Sequence, residues 1–146
     1  MTDYRRLGLA VLTTALNEFE GNNTFNLSDG ILDKIWDVSI KINDNKRISR
    51  FFGRYFMRAC RIEMCPHMFE GNLIAYKDTV LHELAHHITD TLFPGCDSHG
   101  DEWKRICVLV GAEPKHSKNL SAWSLQWNQV KNNGFYQSFK KVSNEL

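Results

Sequence analysis

The run His82-Glu83-Leu84-Ala85-His86-His87 contains the spacing His-Glu-x-x-His. On an α-helix each residue advances about 100° and about 1.5 Å, so His82 and His86 differ by about 40° and about 6 Å. Both imidazoles can then reach one metal ion. Glu83, beside the first of them, can accept a proton from a water that the metal activates. Two histidines do not complete a protein zinc site; a catalytic one has three protein ligands and an open position. The downstream candidates for the third ligand are Asp90, Asp97, His99, Asp101, Glu102, Glu113 and His116.

Hydrophobic periodicity identifies the elements that must carry these groups. Leu73 to Leu92 holds no Gly or Pro, and Ile74, Leu81, Leu84, Ala85, Ile88 and Leu92 fall on one helical face. With Leu81 at 0°, His82 lies near about 100°, His86 about 140°, Asp90 about 180° and Glu83 about 200°. The polar set is therefore expected on the flank opposite the core stripe. His87, at about 240°, is expected to be an ordinary polar or supporting residue. Asp90, one turn past His86, is a candidate to orient a ligand imidazole by a hydrogen bond. Phe93-Pro94-Gly95-Cys96 ends this helix, and a second is expected from about Gly100 to Val110. Trp103, Ile106, Cys107 and Val110 form its apolar face, Gly111 its end, and Ser98 with Asp101 a weak capping box. His99 thus stands at the mouth of the second helix. Imidazole is the favoured third ligand beside two histidines, with Glu102 as the alternative.

The two runs His82-Glu83-Leu84-Ala85-His86 and His99-Gly100-Asp101-Glu102-Trp103-Lys104 resemble the SprT-like metallopeptidase domain, the family that includes the Spartan proteases. Upstream, Gly53 to Glu70 is similar to the strand pair and Ile-x-x-Ser-Pro-x-Leu-Phe segment that precede that family's active helix. The resemblance spans roughly Phe51 to Pro114. It implies an α+β, zincin-like domain, mostly helical, with a small antiparallel sheet packed on the His-Glu-x-x-His helix. It also implies one catalytic Zn2+ on His82, His86 and His99, Glu83 as general base, and a protein substrate. Two departures stand out. No paired Cys-x-x-Cys motifs follow Pro114, the last cysteine being Cys107, so the family's C-terminal zinc ribbon is missing. The long DNA- and partner-binding tails of the eukaryotic Spartan proteins are missing too. The chain therefore resembles a minimal bacterial or phage version, expected in the cytoplasm.

At 146 residues, with 42% hydrophobic and 12% aromatic residues, the chain is expected to form one domain and one core as a monomer. The motif-bearing part is about 51–114. Residues 115–146 read as a C-terminal extension packed on it through Trp123, Trp127, Phe135, Tyr136 and Phe139. A formal net charge of +1 gives no global polyelectrolyte character, and no apolar run approaches the roughly 18 residues of a membrane span. Leu9, Leu12, Leu16 and Phe19 suggest an amphipathic helix over 3–20 rather than a signal peptide. Ser28 caps a second helix expected to run to about Asn43, and Phe51–Met57 with Cys60–Cys65 read as a strand hairpin. Cys60, Cys65, Cys96 and Cys107 read as reduced thiols, with Cys107 in the core. A structural metal site from Cys60, Cys65 and Cys96 is the alternative.

Lys46, Arg47, Arg50, Arg54, Arg58 and Arg61 occur with no acidic residue among them. As a strand, Phe51, Gly53, Tyr55, Met57 and Ala59 would face the core and Arg50, Phe52, Arg54, Phe56 and Arg58 the other side. Cations interleaved with rings suit single-stranded DNA, and the resemblance implies substrates attached to DNA. The alternative is a solvated basic strand whose aromatics the C-terminal extension covers. The competing class for the whole chain is a non-catalytic zinc-containing DNA-binding or adaptor module, against which the Glu83 carboxylate argues.

Overall fold

Asn72 opens the central helix by accepting the Ala75 N–H at 3.0 Å, and the helix then runs unbroken over Leu73–Leu92. It belongs to a computed structural model that describes residues 2–22, 25–48 and 50–115. In chain order the elements are α1 (Tyr4–Gly21), α2 (Asp29–Trp36), β1 (Ser39–Ile42), β2 (Gly53–Phe56), β3 (Arg61–Met64), a 3-10 turn (Pro66–Phe69), α3 (Leu73–Leu92) and α4 (Asp101–Val110). The architecture among the described residues is α+β, four helices around a three-stranded sheet. The proposed C-terminal contacts of Trp123, Trp127, Phe135, Tyr136 and Phe139, and His116, lie outside the described residues.

The sheet is mixed rather than antiparallel. Its order is β1-β3-β2, with β1 parallel to β3 (Ile40 opposite Ile62) and β2 antiparallel to it (Tyr55 opposite Ile62). The helix expected to continue to Asn43 stops at Trp36, and β1 takes its place. Val38, Ile40 and Ile42 alternate with polar residues, so the period has already changed from helical to extended. Ser28 does cap α2, accepting the Ile31 N–H at 3.3 Å.

Helix α3 is the spine of the fold. It packs against α1, α2, α4 and β2, and residues all around it are buried, from Tyr76 and Val80 to Leu84, His87 and Ile88. Glu83, His86 and Asp90 do keep a half-buried flank that faces a cleft, as expected, but the buried surface is wider than one stripe and takes in His82 and His87 as well. Ile74, assigned to the core stripe, is 39% exposed at the first turn. Strand β2 is pressed between β3 and α3, so that a Cβ on Gly53 would lie 2.6 Å from Met64 Sδ on β3 and 2.9 Å from Thr79 Cγ2 on α3. Glycine at 53 permits that contact. Met57, read as core-facing, is 61% exposed: the strand ends at Phe56, and the Met57–Cys60 turn carries Met57 outward.

Candidate metal centre

Two short devices set the site. Phe93-Pro94-Gly95, with Gly95 at a left-handed φ of 84°, reverses the chain after α3. Helix α4 then starts behind Gly100, whose N-cap position carries no side-chain bond. The expected Ser98–Asp101 capping box does not form, and Ser98 Oγ lies 3.4 Å from His99 Nδ1 instead. Helices α3 and α4 pack against each other, which carries His99 back over the His-Glu-x-x-His face.

His82, Glu83, His86, Asp90 and His99 all line one cleft of about 830 Å³, and its opposite wall is the β2 region from Arg50 to Met57. A second groove, of about 1040 Å³, lies beside β1 and the start of α1. Its one histidine, His67, is bonded through Nε2 to the Ile48 carbonyl at 2.6 Å, so the clustered chemistry belongs to the first cleft.

Within that cleft the rings of His86 and His99 stand 4.8 Å apart, centroid to centroid. Two imidazoles on one tetrahedral zinc, with N–Zn bonds near 2.0 Å, have centroids about 5 Å apart, so this pair is spaced for a shared ion. His82 is engaged differently. Its Nε2 donates to the Glu113 carbonyl and lies 3.4 Å from Asp78 Oδ2. A carbonyl only accepts, so Nε2 carries the hydrogen and Nδ1 is the lone-pair nitrogen. Burial lowers the His82 pKa to about 4, which keeps the ring neutral, the form a metal needs. Among the described residues no group of three His, Cys, Asp or Glu side chains is arranged to hold a metal ion. The three imidazoles fit zinc by donor type, and His86 with His99 fit it by spacing. With Nε2 on the Glu113 carbonyl, His82 would have to offer Nδ1, or give up that bond, to reach the same ion.

Behind His82 lies a buried acidic pair, Asp78 and Glu113, of which the sequence pointed only to Glu113, as a possible ligand. Asp78 Oδ1 accepts the Glu113 N–H at 3.0 Å, tying the chain after α4 back to α3. Asp78 Oδ2 and Glu113 Oε1 are buried without a hydrogen bond. Burial raises Asp78 to about 7, against the opposing Glu113 N–H; burial and then Asp78 raise Glu113 to about 7. The signal was present in the spacing, since Asp78 is four residues before His82 and shares its helical face. Trp103, read as a core residue, is buried but touches all three imidazoles. It stacks on His86 at 5.2 Å and 20°, and meets His99 at 4.9 Å and His82 at 5.4 Å edge-on.

The remaining candidates separate clearly. Asp90 lines the cleft; burial raises its pKa while nearby His87 opposes the rise. Asp97, Asp101 and Glu102 are not among the cleft-lining residues. His87 is no loose polar residue: it is buried, bonded to Tyr55 and to the last turn of α2. Arg50, Phe52, Arg54 and Phe56 line the cleft, whereas Arg58 does not. Phe52 packs edge-on against core Phe69 at 5.2 Å, and the Arg54 and Arg61 guanidinium groups lie 5.2 and 5.1 Å from the Phe56 ring centroid. All four cysteines are free thiols, and Cys65 joins Cys107 in the core.

A family model described as the SprT-like family matches residues 17–133, most of the chain. The chain belongs to the SprT-like family, which is associated with zinc metallopeptidases. Neither the curated proteins nor the solved structures contain a significant match. No helix among the described residues is long and apolar enough to cross a membrane.

Proposed function

We propose that this protein is a zinc-dependent endopeptidase of zincin-like fold. The observation that carries the reading is that Glu83, His86 and His99 line a cleft whose far wall is the edge strand β2. His82, His86 and His99 would hold the ion. When bound, zinc would polarise the scissile carbonyl and acidify the attacking water. Glu83 would take that water's proton and pass it to the leaving amine. An extended substrate would lie along β2, whose outer edge has no strand partner among the described residues. The exposed Arg50 and Arg54 on the cleft wall, with exposed Arg58 on the turn after β2, suit a protein carried on single-stranded DNA. We further propose a monomer acting in the cytoplasm of a bacterium or phage-infected cell.

Glu83→Gln is expected to retain stoichiometric zinc and to lose cleavage of a DNA-binding protein, assayed with and without single-stranded DNA and chelator. Full activity in that variant would remove Glu83 from the mechanism. DNA binding without cleavage in the parent protein would favour a non-catalytic adaptor.

A further inference from the structure

Trp103 has an environment that core packing alone does not explain. It is 1% exposed, yet three of its neighbours are imidazoles rather than aliphatic side chains. Its indole lies nearly parallel to His86, and the His99 ring stands perpendicular to it at 90°. Its Nε1–H donates to the His82 carbonyl at 3.3 Å. A single α4 side chain thus contacts two candidate ligands from α3 and a third from the loop before α4.

We infer that Trp103 is a positioning residue of the metal centre, a flat template that fixes the His86 and His99 rings against each other and ties His82 to them through its N–H. This rests on the zinc reading above. The imidazoles of His86 and His99 sit on different elements, so nothing covalent sets their mutual angle. A rigid ring in contact with both restricts each to one orientation before the ion arrives. Aromatic faces and edges prefer the stacked and perpendicular arrangements seen here. An aliphatic residue at 103 would fill part of the volume but would offer neither a face for His86 nor a donor for His82. Preorganised ligands bind an ion more tightly because less rotamer freedom is lost on binding.

The test uses the full chain and three variants: Trp103→Phe, Trp103→Leu and, on the same buried face of α4, Ile106→Ala. Zinc affinity is measured by competition with a chromophoric chelator, ligand geometry by the visible absorption of the Co2+ form, and stability by thermal unfolding of metal-free protein. Trp103→Leu is expected to weaken zinc binding by about 10–100-fold, the range for losing a ligand-orienting partner, and to alter the Co2+ spectrum. Trp103→Phe keeps a ring and should fall between Leu and the parent. Ile106→Ala should unfold at lower temperature with the parent's zinc affinity and spectrum. If Trp103→Leu binds zinc as the parent does while losing only stability, the inference is wrong. If Trp103→Leu does not fold, an unchanged affinity and Co2+ spectrum in Trp103→Phe overturns the inference equally. A parent that takes up neither ion refutes the zinc reading itself and this inference with it, a result unlike binding that is equal in parent and variant.

Discussion

The Tyr55 hydroxyl donates to Nδ1 of His87 at 2.7 Å, and that bond fastens the edge strand β2 to the helix carrying the candidate metal ligands. The direction follows from the other side of the ring. His87 Nε2 lies 3.0 Å from the carbonyls of Lys34 and of Ile35, which only accept, so Nε2 carries the proton and Nδ1 accepts. One neutral histidine thus joins β2, α2 and α3. Tyr55→Phe strands the buried Nδ1 acceptor and should cost about 1–3 kcal/mol in urea unfolding.

The same residue gives a pH signature. Burial holds the folded His87 pKa below the ordinary value of 6.5, partly opposed by the two carbonyl bonds. A depressed histidine pKa adds stability above the unfolded value, and that stability is lost as pH falls below about 6.5 toward the folded value. Metal-free parent should therefore lose stability relative to His87→Gln between about pH 7 and pH 5. Parallel pH profiles for the two proteins would show that His87 does not titrate across unfolding.

Adjacent histidines should behave oppositely toward metal. His86→Ala and His99→Ala should lower zinc affinity by more than about 100-fold, beyond the loss of an outer partner. His87→Ala should leave the stoichiometry intact while destabilising the fold. Glu102→Ala should bind zinc like the parent; a large loss there would make Glu102 the third ligand in place of His99. Equilibrium dialysis with metal analysis distinguishes these cases.

Asp78 can be tested through its bond to the Glu113 N–H. Asp78→Ala leaves that buried donor unpaired and should cost about 1–3 kcal/mol. Asp78→Asn keeps an acceptor oxygen and should cost less. Equal losses in chemical denaturation would mean that the backbone bond is not what Asp78 contributes.

Gly53→Ala should be poorly tolerated despite its modest size. The added Cβ would press on Met64 Sδ and Thr79 Cγ2, and overpacking of this kind costs about 1–3 kcal/mol. The strain falls between β2 and both β3, through Met64, and α3, through Thr79, so a fall in melting temperature is expected. An unchanged melting temperature would show that these side chains can move aside freely.

Strong local signals carried much of the site. The bounds of α3 were legible because the segment lacks breakers inside and the Phe93-Pro94-Gly95-Cys96 turn stands just outside; the Asn72 cap at its start was not read. His99 was legible because a turn and a new helix follow at short range. Strand β1 was missed because its short alternation of Val38, Ile40 and Ile42 directly continues the apolar run of α2, and its parallel partner β3 lies some twenty residues downstream. His87 was misread by a helical wheel that assumed one buried face, whereas neighbours remote in sequence enclose α3 on several. The spacing could have placed Asp78 beside His82, but its contact with Glu113 runs through a backbone N–H, which no side-chain pattern encodes.

His82, His86, His99 and Trp103 all fall within one helix-turn-helix segment, while β2, the opposite wall of the cleft, precedes it in the chain. The candidate ligands therefore depend on contacts within one segment, and the opposite wall on contacts that reach back along the chain. On the proposed reading, the cleft has a second side only once the Tyr55–His87 bond holds β2 against α3, so loosening that one bond would spoil the grip on a polypeptide while leaving the histidines on their own segment.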